Sequence, residues 1–244
     1  MLTSRLPIYP KERRPSRSEI VTMAVGMLCR DGVVIAADSQ LSRPDYDKRY
    51  ESKVHFCDDQ KQQWALLFGY AGSPGLDEEV RNKILGRLRG PQPPTLNVVY
   101  AACDEVFTEL GRHFAVVDLY MLIGVSCPND FPRLLVFDGR SLHWEDGLLC
   151  FGVGDSSLTT YLRDVLYKRQ LTVEEGMRLA IYIVAKAKAY IDKCSGDTAV
   201  YSIRSRGEIV GTLPEEVAKL EIEMKAREKE HMKAIIGFIQ PLND

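Results

Sequence analysis

Thr22-Met-Ala-Val-Gly-Met-Leu-Cys-Arg-Asp-Gly-Val-Val-Ile-Ala-Ala-Asp-Ser39 is the stretch around which the rest of the chain arranges itself. Two apolar runs, Met23 to Leu28 and Val33 to Ala37, flank Asp31-Gly32. Both residues of that pair tolerate positive φ, so the spacing predicts a hairpin closed by a type I′ turn. Antiparallel pairing then carries the hydroxyl of Thr22, opening the first strand, toward the carboxylate of Asp38, ending the second. A hydroxyl and a carboxylate at one end of a sheet are the start of an active site.

Outward from the hairpin, Leu41 to Glu51 is polar, contains a proline and is given no element, whereas Lys53-Val54-His55-Phe56 alternates as a short strand does. Trp64 to Ala71 is almost continuously apolar and predicts a strand buried on both faces, ending in the loop-to-helix junction Gly72-Ser73-Pro74-Gly75. These strands make one sheet of about four. Helices are predicted at Leu76 to Leu88 and Leu96 to Phe114, separated by Gly90-Pro91-Gln92-Pro93-Pro94. Val98, Val99, Ala102, Val106 and Leu110 form the inward face of the second helix.

From Leu119 the pattern returns to strands at Tyr120 to Ser126, Arg133 to Phe137 and Leu148 to Phe151, with Asp138-Gly139 as a turn, which implies a second sheet. Asp155 or Ser156 caps a helix running to about Tyr167, and Thr172 with Glu175 forms a capping box for the next, which runs to about Ile191. Met177, Ala180, Ile181, Val184, Ala187 and Ile191 are its apolar stripe. Asp197 to Ile203 and Glu208 to Gly211 read as a closing strand pair. Pro214 to about Phe238 is a charged helix, predicted to be a solvated surface element, whose apolar end Ile235 to Ile239 suggests docking on this chain or a neighbour.

Composition narrows the classes. At 244 residues and 45% hydrophobic content the chain can build a core of its own. A formal charge of −2 gives no basic surface, which argues against nucleic acid as a partner. Cys29, Cys57, Cys103, Cys127, Cys150 and Cys194 are scattered without a CxxC pair and read as reduced core thiols. The absence of a long apolar run or a signal-peptide pattern makes no membrane and a cytoplasmic location the default expectation. Residues 1–21 carry five basic residues and prolines at 7, 10 and 15. They are expected to be a flexible leader, or a propeptide.

The order of elements, a strand block, two helices, a strand block, two helices and closing strands, resembles a proteasome-type subunit of the N-terminal nucleophile hydrolases. The likeness covers about Thr22 to Gly211. It implies an α+β fold, a four-layer αββα sandwich of two antiparallel sheets covered by helices. The expected organisation is a leader at 1–21, the hydrolase domain at 22–211 and a charged helix and tail at 212–244. In catalytic members the chain is cut before a threonine sixteen positions ahead of the Asp in Asp-Gly-Val-x-x-Ala-x-Asp. Thr22 and Asp38, in Asp31-Gly32-Val33-Val34-Ile35-Ala36-Ala37-Asp38, satisfy that spacing. Ser52-Lys53-Val54 is similar to the strand bearing the catalytic lysine, and Ala71-Gly72-Ser73 to the loop whose glycine N–H binds the oxyanion. Asp192-Lys193-Cys194-Ser195-Gly196 matches an Asp-x-x-Ser-Gly motif that supports the nucleophile. Two positions depart from the pattern. Gly152-Val153-Gly154-Asp155 lacks the serine of a Gly-Ser-Gly-Ser stretch, and Val21 stands where a glycine usually precedes the cut.

The resemblance thus nominates Thr22 as nucleophile, Asp38, Lys53, Asp192 and Ser195 as its catalytic supports, and Gly72 and Gly196 as backbone contributors. Leu41, Glu51, His55, Tyr70 and Pro74 are carried over as pocket lining. A threonine hydroxyl needs a base, and a free α-amino group with a pKa of about 7.7–8.0 can serve. The Lys53 ammonium would disfavour protonation of that amine, and Asp38 would orient the lysine. Such chemistry calls for no metal or organic cofactor. The expected partners are a peptide or protein substrate and further copies of the chain in a ring. The alternative is a non-catalytic structural or assembly subunit.

Overall fold

The computed structural model describes residues 23–43, 46–73, 75–113, 117, 119–152, 157–168, 170–191 and 194–239, with backbone alone for 41–43, 46–49, 157–159 and 231–239. The chain begins with strands β1 (Met23–Cys29), β2 (Gly32–Asp38), β3 (Gln40–Arg43), β4 (Tyr46–Tyr50), β5 (Val54–Asp59) and β6 (Trp64–Gly72). Helices α1 (Leu76–Leu88) and α2 (Leu96–His113) follow, then β7 (Leu119–Ser126), β8 (Arg133–Phe137), β9 (Leu142–Glu145) and β10 (Leu148–Gly152). Helices α3 (Ser157–Leu166) and α4 (Val173–Tyr190) precede β11 (Thr198–Arg204), a single 3₁₀ turn at Ser205–Gly207, β12 (Ile209–Gly211) and α5 (Pro214–Ile239).

Among the described residues the strands pair antiparallel in two five-stranded sheets, ordered β10-β1-β2-β11-β12 and β5-β6-β7-β8-β9, with β3 and β4 as a separate hairpin. Three apolar clusters give the layering. Ala24, Leu28, Val33, Ile35 and Ala37 face Leu67, Leu122, Leu134 and Val136 between the sheets. The alternate residues Met23, Val25, Met27, Val34 and Ala36 pack on Ala180, Ile181, Val184 and Ala187 of α4. Leu66, Phe68, Met121 and Ile123 pack on Val80 and Ile84 of α1 and on Val99, Val106 and Phe107 of α2. The result is the expected αββα sandwich. Strands β1 and β2 are buried at every position because both their faces are covered.

Several local expectations are corrected. The hairpin loop is Arg30-Asp31, since Cys29 pairs with Gly32. Neither loop residue nor Gly32 has positive φ, so the turn is not type I′. Gly32 is instead a packing glycine: a Cβ there would run into the carbonyl oxygen of Ile203 and lie 2.8 Å from Val173 Cγ2. Asp31 accepts the Val173 N–H at 2.8 Å at the start of α4, beside the expected capping box of Thr172 and Glu175.

The strands divide differently from the sequence expectation. Strands β5 and β6 belong with β7 to β9, while β10 and β11 join the first hairpin. Runs buried on both faces carry no mark of which sheet they enter, so only long-range pairing decides. The polar Leu41 to Glu51 stretch contains the β3–β4 hairpin, and β9 carried no sequence assignment. Val98 is 49% exposed, the inward face of α2 being Val99, Ala102, Cys103, Val106, Phe107 and Leu110. Helix α5 is not wholly solvated, because Val217 is buried and Leu220 and Met224 pack against the α4 layer. All six cysteines are reduced, with Cys57 and Cys150 only half-buried. Among the described residues no helix is long and apolar enough to cross a membrane.

Candidate active site

Strand β2 ends on Asp38, and Lys53 stands immediately ahead of β5, so the two sheets meet at this pair. Lys53 Nζ donates to Asp38 Oδ1 at 2.9 Å, and both side chains are 0% exposed. It also donates to the backbone carbonyl of Gln40. Burying two charges costs several kcal/mol per ion, in round figures, unless every lone pair and proton is matched. Here the match is supplied from three directions. The Met23 N–H, one residue beyond Thr22, donates to Asp38 Oδ1 at 2.9 Å, and the Ser195 N–H donates to Oδ2 at 3.4 Å. One carboxylate therefore joins the start of β1, the entry to β5 and the loop ahead of β11.

That loop is tied to the strand end a second time. Ser195 Oγ donates to Gln40 Oε1, and the Asp197 N–H donates to Ser39 Oγ at 2.9 Å. Gly196 has φ +81°, and a Cβ there would strike Ser39 Oγ and approach the Tyr50 ring to 2.6 Å. Only glycine meets both demands.

The charges have distinct environments. Burial pushes the Lys53 ammonium below its ordinary range, while the charge and hydrogen bond of Asp38 pull it back part of the way. Cys194, buried beside the pair, has its thiol pushed up to about 12 by burial and by Asp38, with Lys53 opposing. It stays a protonated thiol at neutral pH.

Of the candidate site residues, Asp38, Lys53 and Ser195 converge on one another. Thr22, Asp192 and Pro74 lie outside the described residues, as do Val21 and Val153. Gly196 is at the site. Gly72 ends β6 with φ +130°, two residues beyond Tyr70, whose N–H donates to the Lys53 carbonyl at 3.2 Å. Among the pocket candidates, Tyr70 is buried and its ring stacks on His55 with centroids 6.2 Å apart. His55 is held below its usual pKa by burial first and by Arg81 second, with Asp77 and Glu51 opposing. Glu51 itself is exposed, and Leu41 is described only as backbone on β3.

Sequence reasoning missed Gln40, Ser39, Tyr50, Asp77 and Arg81. Gln40 was within reach, because it stands two residues beyond Asp38, already a candidate. Asp77 and Arg81 form an i,i+4 ion pair at 3.2 Å on α1, a helix with no earlier link to the site. Among the described residues no group of three His, Cys, Asp or Glu side chains could hold a metal ion.

A model of the family described as "Proteasome subunit" matches residues 21–203. The proteasome subunit alpha of Thermococcus sibiricus is 26% identical over 221 residues, covering 86% of this chain and 80% of that protein. The proteasome subunit beta 2 of Pyrobaculum neutrophilum is 28% identical over 179 residues, covering 73% and 86% respectively. Among solved structures, Anbu, an ancestral beta-subunit from Yersinia bercovieri, superposes with TM-score 0.70 at 13% identity, covering 91% of this chain and 98% of that one. The helical assembly of the Anbu complex from Pseudomonas aeruginosa gives TM-score 0.66 at 15% identity, covering 87% and 96%.

Proposed function

This chain belongs to the proteasome subunit family, and from that premise we propose that it is a threonine-type peptide or amide hydrolase. Its nucleophile is Thr22, exposed by removal of residues 1–21, and it works within a self-compartmentalising homo-oligomer. The observation that carries this reading is the fully buried Lys53–Asp38 pair, whose shared oxygen also accepts the N–H of Met23. A buried ion pair is a poor stabilising device, so its position one residue from the candidate nucleophile is better explained by chemistry.

In the reaction Thr22 Oγ bonds to the substrate carbonyl carbon as its proton passes to the freed α-amino group. Collapse of the tetrahedral intermediate breaks the C–N bond, and the same proton leaves with the amine. Water then cleaves the ester and restores Thr22. Lys53 favours the neutral amine by like-charge repulsion, and the Gly72 N–H is the candidate oxyanion donor.

The second reading is a non-catalytic subunit, favoured by Val21, by Val153 and by alpha subunits among the relatives. Intact-mass measurement and labelling with a threonine-directed epoxyketone separate the two. Expected are a chain beginning at Thr22 and one adduct per chain, both abolished by Thr22→Ala. A full-length chain that forms no adduct is the result the structural reading requires.

A further inference from the structure

The loop carrying Ser195 and Gly196 is gripped from inside by Asp38, Ser39 and Gln40, and also from outside. Lys188, in the last turn of α4, donates to the Gly196 carbonyl at 3.1 Å, to Thr198 Oγ1 at 2.7 Å and to Glu221 Oε1 at 2.6 Å. Thr198 in turn donates from Oγ1 to the same Glu221 oxygen at 2.7 Å. Glu221 belongs to α5. The two charged side chains are only 15% and 17% exposed, so this is no solvated surface pair of small worth. All three Lys188 donors are thereby spent on the loop, on the first residue of β11 and on α5.

We propose that Lys188 and Glu221 are positioning residues: the Glu221 contact from α5, and not the seating of that helix in general, fixes the Ser195–Asp197 loop through Lys188, and with it the donors to Asp38 and Gln40. The path is continuous. Glu221 aims Lys188, Lys188 holds the Gly196 carbonyl, the same peptide group donates its Asp197 N–H to Ser39 Oγ, and the peptide before Ser195 donates its N–H to Asp38 Oδ2. A helix outside the sandwich thus sets the hydrogen bonding of a carboxylate inside it. The effect on turnover rests on the hydrolase reading; the effect on the loop does not.

The molecule contains its own control. Further along α5, Glu228 is hydrogen-bonded to Tyr182 at 2.7 Å and to Lys186, which fastens the same two helices without touching the loop. Glu221→Gln and Glu228→Gln, made in the full chain, are compared by amide hydrogen exchange and by the rate of epoxyketone labelling at Thr22. Glu221→Gln is expected to raise exchange at the Ser195 and Asp197 amides and to slow labelling by roughly 2- to 30-fold, with kcat falling at unchanged KM. Glu228→Gln is expected to loosen α5 while leaving both amides as in the unaltered chain. Thr198→Val, which keeps the shape of the side chain, should act in the same direction as Glu221→Gln, and Lys188→Arg should retain protection that Lys188→Met loses. Unchanged exchange at both amides in Glu221→Gln and Thr198→Val, or an equal change in Glu228→Gln, overturns the proposal. If no chain labels at Thr22, the hydrolase reading fails and the exchange comparison still decides the role of α5.

Discussion

The two ends of β2, Gly32 and Asp38, are six positions apart and are built on opposite principles. At the Gly32 end the polar contacts of Arg30, Asp31, Thr172 and Glu175 serve the main chain, and the one charge pair beside them, Arg204–Glu174, is partly exposed. Asp31 accepts the first N–H of α4, Arg30 N–H donates to the Leu171 carbonyl at 2.9 Å, and Thr172 and Glu175 cap each other's backbone. Each such contact is worth about 1 kcal/mol and carries no buried charge. At the Asp38 end a whole ammonium and a whole carboxylate are taken out of water and matched by donors from three separate segments. One end closes a hairpin; the other sustains, at a cost in stability, an electrostatic arrangement that a hairpin does not need.

Three experiments test that contrast. Lys53→Met leaves the buried Asp38 carboxylate facing main-chain donors alone. It is expected to cost about 3–5 kcal/mol in urea denaturation, as breaking a buried pair does, and to abolish labelling at Thr22. A loss below about 1 kcal/mol would place the two ends on the same energetic footing. Gly32→Ala pushes a methyl group into the Ile203 carbonyl and Val173. It should cost about 1–3 kcal/mol by overpacking while leaving the rate of labelling as it was. A change in labelling would mean that the two ends are coupled through β2.

The smallest effect concerns protons. Burial lowers the Lys53 pKa and Asp38 raises it, so Asp38→Asn should move the Lys53 titration further down, read from its side-chain carbon shifts by NMR. The folded chain holds this proton less tightly than the unfolded chain. The cost of the buried ammonium is therefore present in full below the folded pKa and is relieved as pH rises through it toward the unfolded value near 10.5. An upward shift in Asp38→Asn would contradict the balance of burial and attraction described for this end.

Much of this was legible in the residues. The apolar runs at Met23 to Leu28, Val33 to Ala37 and Trp64 to Ala71 announced strands covered on both faces, and the Thr172–Glu175 box marked the start of α4 within one residue. The resemblance of Ser52-Lys53-Val54 to the lysine-bearing strand of the family placed Lys53 beside Asp38. Other features were not legible, for reasons that lie in the physics. Gly32 between two apolar runs looks like a turn glycine in one dimension, whereas its cause is the close approach of Ile203, far away in the chain. The charged face of α5 reads as solvated until Lys188 and Lys186 are found opposite Glu221 and Glu228.

The sequence by itself determined the kinds and order of the elements other than β3, β4 and β9, and the residues able to do chemistry, because periodicity, capping and turn preferences act over a few neighbouring residues. Only the tertiary structure decided which sheet each buried strand joins, that Asp38 collects donors from β1, the entry to β5 and the Ser195 loop, and that α5 reaches the far side of that loop. Those outcomes depend on contacts between residues up to 172 positions apart, as between Gly32 and Arg204. Their energies come from burial and from exact pairing of polar groups, which no local pattern encodes.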